Sequence, residues 1–171
     1  MAQLYESYNV NDDSQQRVGN GNVTQESQTF TAPANFDITS VKLKIWKAAG
    51  ASGTMTVELK AVDGSNKPTG AALSSGTIGT GSVTDTAAPG AFYEITMSAY
   101  TLVNGTQYAL IARADTVAPD DFWWRYDNTS DAYAGSSWQS IDSGATWSAI
   151  NYDFMFEVYG VSGFTPYVII I

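Results

Sequence analysis

The chain has no cysteine and no histidine among its 171 residues. Without thiols there are no disulfides, no thiolate nucleophile and no cysteine metal site, and the compartment is left open. Without imidazole, Ser-His-Asp and Cys-His nucleophile systems, the usual zinc sites and an imidazole pH switch are all excluded. Basic residues are scarce as well, 8 Lys and Arg against 17 Asp and Glu, for a net charge of -9. No basic run interrupts that balance, so nucleic acid and anionic membrane are not expected partners. No apolar run approaches the roughly 20 residues of a spanning helix, and a soluble chain is expected. The opening MAQLYESYNVNDDSQQ has neither a basic n-region nor an apolar h-region, which argues against an intact secretory signal.

What the sequence does hold is strand alternation. Hydrophobic residues make up 44% of the chain, ample for one core. In SVKLKIWK, Val41, Leu43 and Ile45 point one way while Lys42, Lys44 and Trp46 point the other. TMTVELKAV repeats the pattern with Met55, Val57, Leu59 and Ala61 against Thr56, Glu58 and Lys60. Joined by AAGASG, the two segments read as an antiparallel hairpin pair. Further strands are expected at QTFTA, ALSSGTI, FYEITM, TQYALIARA, DFWWRY and YDFMFEVYG, between turns rich in Gly, Ser, Asn and Asp. No window keeps a capped helical period, so helices should be absent or single turns. The expectation is an all-β, two-sheet antiparallel sandwich, jelly-roll-like, of about eight or nine strands. Its domain should cover residues 1 to 160, with a hydrophobic tail at 161 to 171.

The order of LYESYN, QTFTAPANFDITSVKLKIWKAAGASGTMTVELKAVDG, KPTGAALSSGTI, LVNGTQYALIARA, FWWRYD and YDFMFEVYG resembles the choice-of-anchor type β-sandwich modules of extracellular, cell-surface and virus-associated proteins. The resemblance spans roughly residues 3 to 160 and rests on many weak segments in order. It implies a noncatalytic, surface-displayed domain with no shared catalytic residues to carry over.

One sharper motif is SIDSGATW, residues 140 to 147, which resembles the Asp box S-x-D-x-G-x-T-W of sialidase propellers. A six-bladed propeller does not fit this length, since blades take roughly 40 to 50 residues each, and the motif occurs once. A sialidase would also need converging arginines, and Arg17, Arg113 and Arg125 lie on separate segments. The preferred reading is therefore a self-braced turn in which Ser140, Asp142, Gly144, Thr146 and Trp147 are structural. Asp142 accepts backbone amides, Gly144 supplies a conformation costly for other residues, and Trp147 packs beneath the hairpin.

Two constellations carry binding chemistry. Phe122, Trp123, Trp124, Tyr126, Tyr133, Trp138 and Trp147 crowd the last third of the chain, and the alternation in FWWRY puts a tryptophan on each face of its strand. Trp123, Arg125, Tyr133 and Trp138 are the candidate glycan-binding residues, with rings stacking on sugars and Arg125 bonding hydroxyls. The acids Asp120, Asp121, Asp127, Asp131, Asp142 and Asp153 offer a two-carboxylate glycosidase as the third choice of function, although turn contexts favour Asp for local hydrogen bonding. Asp120, Asp121 and Asp127, or Asn11, Asp12 and Asp13, offer loops for a structural calcium; no other cofactor is expected.

The tail VSGFTPYVIII would be an aggregation hazard if left in water. Phe164, Tyr167, Val168, Ile169, Ile170 and Ile171 are candidate assembly residues, docking in cis or adding to a neighbouring subunit. Together these features lead to one expected function: a nonenzymatic virion or extracellular-surface component, such as a capsid decoration or fibre protein, working as a homo-oligomer or within a larger assembly. The alternative is a carbohydrate-binding module with a glycan partner.

Overall fold

The computed structural model describes residues 1–85, 89–117, 119–129 and 132–162, and these described residues form thirteen strands and one 3-10 turn at Thr80–Ser82. In chain order the strands are β1 (Gln3–Tyr8), β2 (Ser14–Val18), β3 (Gln25–Thr31), β4 (Phe36–Lys47), β5 (Thr54–Val62), β6 (Pro68–Gly79), β7 (Ala91–Leu102), β8 (Gln107–Ala114), β9 (Phe122–Asp127), β10 (Ser137–Ser140), β11 (Ser148–Ile150), β12 (Asp153–Phe154) and β13 (Phe156–Ser162). They make two antiparallel sheets packed face to face. The seven-stranded sheet runs β1-β13-β4-β9-β12, with β7 on the other edge of β4 and β2 on the other edge of β9; the six-stranded sheet runs β11-β10-β3-β8-β5-β6. The expected all-β sandwich is present. Its strand count exceeds eight or nine because the polar β1 and β2 and the short β10 and β11 lacked a clear apolar alternation, and because YDFMFEVYG divides into β12 and β13.

That division has a physical cause at Met155. Its amide donates to the Arg125 carbonyl at 3.0 Å, and its own carbonyl accepts from the Lys44 amide at 3.2 Å and from Trp124 Nε1 at 2.9 Å. A single residue thus ties β9 to β4 where the strand leaves one partner and joins the other.

The core lies between the sheets. Val41, Leu43 and Ile45 of β4 face Met55, Val57 and Leu59 of β5 across it, all fully buried, with Phe30, Phe36, Trp124, Phe154 and Phe156 filling the space around them. Burying each such side chain contributes about 1.5–3 kcal/mol. The alternation in β4 and most of β5 is therefore as read, Ala61 alone being only partly buried. Their pairing is not. β4 and β5 belong to different sheets, so AAGASG crosses the sandwich and does not turn a hairpin. β4 pairs with β7, β13 and β9, and β5 with β6 and β8. An amphipathic strand satisfies its apolar face equally well in either sheet, which is why alternation alone did not decide the partner.

Candidate functional site

The four candidate glycan residues are not brought together. Trp123 and Arg125 lie on the outer face of the seven-stranded sheet, where Trp123 stacks on Trp46 with ring centroids 5.5 Å apart and an interplanar angle of 7°. Both of these rings are partly buried. Gln15 Oε1 accepts from Trp46 Nε1 and from Arg125 Nη1, each at 2.9 Å. Arg125 is itself buried, its Nε 2.5 Å from Asp12 Oδ1, while Lys44 Nζ holds Asp12 Oδ2 at 2.7 Å. Its guanidinium is spent on this network and offers little to a sugar. Tyr133 packs edge-on against Phe156 and tilted against Tyr8, a position tied to the core.

Trp138 lies on the six-stranded sheet, directly across from Ser27. At 8% exposure it is a wall and not a projecting platform, and Lys67 Nζ lies 5.5 Å from its ring centroid. The indole borders a cavity of about 320 Å³ between the β10–β11 pair and the tip of the β5–β6 hairpin, with Ile150, Ser65, Ser136, Asn151 and Asp153 also on its lining. Gly135 also borders it, and a Cβ there would run into the Thr29 carbonyl, so the chain passes too close for any other residue. Trp138 Nε1 and Ser27 Oγ are both buried without a hydrogen-bond partner among the described residues. Buried polar atoms are rarely left so, and each omission costs about 1–3 kcal/mol.

The 140 to 147 hairpin is a closed hydrogen-bonded unit. Asp142 Oδ1 accepts from the Thr146 amide at 2.9 Å and the Ser140 hydroxyl at 2.8 Å, and Oδ2 accepts from the Thr146 hydroxyl at 2.6 Å. Ser140 Oγ in turn accepts the amides of Gly144 at 2.8 Å and Asp142 at 3.3 Å. Ser143 and Gly144 both take positive φ, 62° and 84°. The Thr146 hydroxyl and amide, then Ser140, hold the Asp142 carboxyl down to about 2. Asp142 stands exposed, and Trp147 is half-buried. The role of Ser140 as a second acceptor hub was not legible in the motif.

The acids of the candidate calcium trio are held apart. Asp121 precedes β9 and Asp127 ends it, and a rise of about 3.3 Å per residue puts roughly 20 Å between them. Asp121 is ion-paired to Arg17 Nε at 3.0 Å and accepts from the Asn20 amide and the Thr116 hydroxyl. Asp127 accepts from the Tyr8 hydroxyl, Asn11 Nδ2 and the amide and hydroxyl of Thr129. These donors hold its carboxyl well below the usual range despite burial. In the other loop, Asn11 is given to Asp127, Asp12 to Arg125 and Lys44, and Asp13 to the Asn128 amide. No group of three His, Cys, Asp or Glu able to hold a metal occurs among the described residues. Asp131 and the assembly candidates Phe164, Tyr167, Val168, Ile169, Ile170 and Ile171 lie outside the described residues; β13 itself runs through Val161 to Ser162, two residues into the segment read as tail.

One ionisable group went unnoticed in the sequence. Glu26 is fully buried between the sheets, its Oε1 accepting from Gln139 Nε2 at 2.8 Å, with Gln16 of the opposite sheet alongside. Burial raises its carboxyl to about 8, the two amides only partly offsetting the loss of water. The clue was present in QESQTF, where Glu26 and Gln28 share the face of Phe30. No protein-family model matches the chain, and no curated protein matches it.

Proposed function

We propose that this chain is a noncatalytic β-sandwich that displays itself on a surface by self-associating or docking on a larger assembly, a virion being the assembly that best suits its chemistry, as a capsid-decorating or fibre component. The observation that carries the reading is the fate of the carboxylates. Asp121, Asp127, Asp142 and Asp153 each accept backbone amides, from Asn20, Thr129, Thr146 and the Ala132–Tyr133 pair. Acids engaged in holding loops are poor candidates for the acid and base pair of a glycosidase, which needs two carboxyls facing one scissile bond. The net charge of -9 supports a solvent-facing, soluble surface, and the sequence beyond β13 ends in four β-branched aliphatic residues suited to strand addition.

The test compares the full chain with a version ending at Ser162, which keeps β13 whole. Light scattering should give an oligomer for the first and a monomer of unchanged circular dichroism for the second. Equal masses would overturn the assembly reading, and hydrolysis of any aryl glycoside by the full chain would overturn the noncatalytic one.

A further inference from the structure

We propose that the cavity walled by Trp138 is a binding site for one neutral pyranose unit. The inference does not depend on the display reading, because it rests on a separate set of atoms. A volume of about 320 Å³ lies at the lower end of small-molecule sites. The lining combines an indole and Ile150 with the hydroxyls of Ser65 and Ser136 and the carboxamide of Asn151. A sugar ring presents this same mixture, C–H surface on its faces and hydroxyls that both donate and accept around its rim.

The polar atoms at the site choose between ligand charges. An anion would meet Asp153 and a chain of net charge -9. A cation would meet Lys67, whose Nζ lies 5.5 Å from the Trp138 ring, while the Asp153 carboxylate already accepts the amides of Ala132 and Tyr133 at 2.9 and 3.0 Å. A neutral polyol pays neither penalty. The second line of support is Trp138 itself, whose indole walls the cavity and whose Nε1 has no partner among the described residues. That donor is stabilised when a ligand hydroxyl accepts from it, directly or through a water. The hairpin tip that carries Ser65 and Lys67 closes one side of the cavity and limits the occupant to a single ring or a chain end.

The experiment titrates the full chain with methyl β-glucoside, methyl β-galactoside, methyl α-mannoside and N-acetylglucosamine, followed by tryptophan fluorescence and by isothermal titration. At least one should bind saturably in the millimolar range. Trp138→Phe keeps an aromatic ring, smaller than the indole, and removes the N–H, and Asn151→Ala alters an exposed residue that is safe for folding; each should weaken binding roughly fivefold, the worth of one hydrogen bond. Trp123→Ala, on the other sheet, should leave the affinity unchanged. Absence of saturable binding by all four sugars, binding indifferent to both Trp138→Phe and Asn151→Ala, or binding abolished by Trp123→Ala would each overturn the assignment.

Discussion

Gln139 Nε2 donates to Glu26 Oε1 over 2.8 Å in the interior, joining β10 to β3 by a carboxyl that water does not reach. The folded chain keeps the Glu26 proton up to about 8, whereas the unfolded chain releases it near 4.5. Between those values the native state binds more protons, so stability falls as pH rises, by up to about 1.4 kcal/mol per unit. The contribution is complete below about 4.5 and gone above about 8. Glu26→Gln, isosteric and uncharged, should flatten this slope and melt higher than the parent at alkaline pH. Melting curves across that range that stay parallel for the two proteins would contradict the assignment.

At the acid end the sign reverses. Asp142 is held down to about 2, so its bonds to Thr146 and Ser140 support the fold above its ordinary 3.8 and are lost as pH falls toward about 2. Asp142→Ala should lower the melting temperature by a few degrees at neutral pH, with the difference shrinking in acid. Sugar binding should be untouched, as measured by the same fluorescence titration, because Asp142 is not on the cavity lining.

The Asp12–Arg125 pair calls for a double-mutant cycle. Both side chains are largely shielded, at 14% and 7% exposure. Arg125→Met removes one of the two cations on Asp12 and leaves Lys44 as the other, and should cost about 1.5–3 kcal/mol in urea denaturation. Joining it to Asp12→Asn should recover much of that loss, and a simple sum of the two single effects would show the pair to be uncoupled.

Neighbouring residues on β4 should respond in opposite ways. Leu43, fully buried, should lose about 2–5 kcal/mol on change to Ala. Lys42, whose Nζ lies 3.5 Å from Glu157 at the surface, should lose no more than about 1 kcal/mol on the same change. Chemical denaturation of the two variants measures both.

What could be read from the sequence follows from where apolar contrast is strong. β4, β5 and β9 announced themselves because Leu, Ile, Val and aromatic residues alternate with charged ones, and β8 because its run is almost wholly apolar. β2 did not, since SQQRV turns Gln16 inward beside Glu26 and only Val18 into the apolar core. β3 was recognised only from Gln28 onward for the same reason: its first inward residue is Glu26. The cavity was half visible. Trp138 was named, but Ser65 and Asn151 reach it from turns far away in sequence, and no local pattern records such convergence. Trp46, the partner of Trp123, could have been found as the one aromatic on the lysine face of SVKLKIWK.

β13 lies between β1 and β4, so β1 has no ladder partner among the described strands until β13, far along the chain, joins it. Most connections pass from one layer to the other, so each sheet is assembled from strands distant in the chain. Folding then proceeds on the slower timescale of topologies dominated by distant pairings. A chain cut before Phe156 would leave β1 without its partner and open one edge of β4 at once, and such fragments should be drawn to one another instead of to themselves.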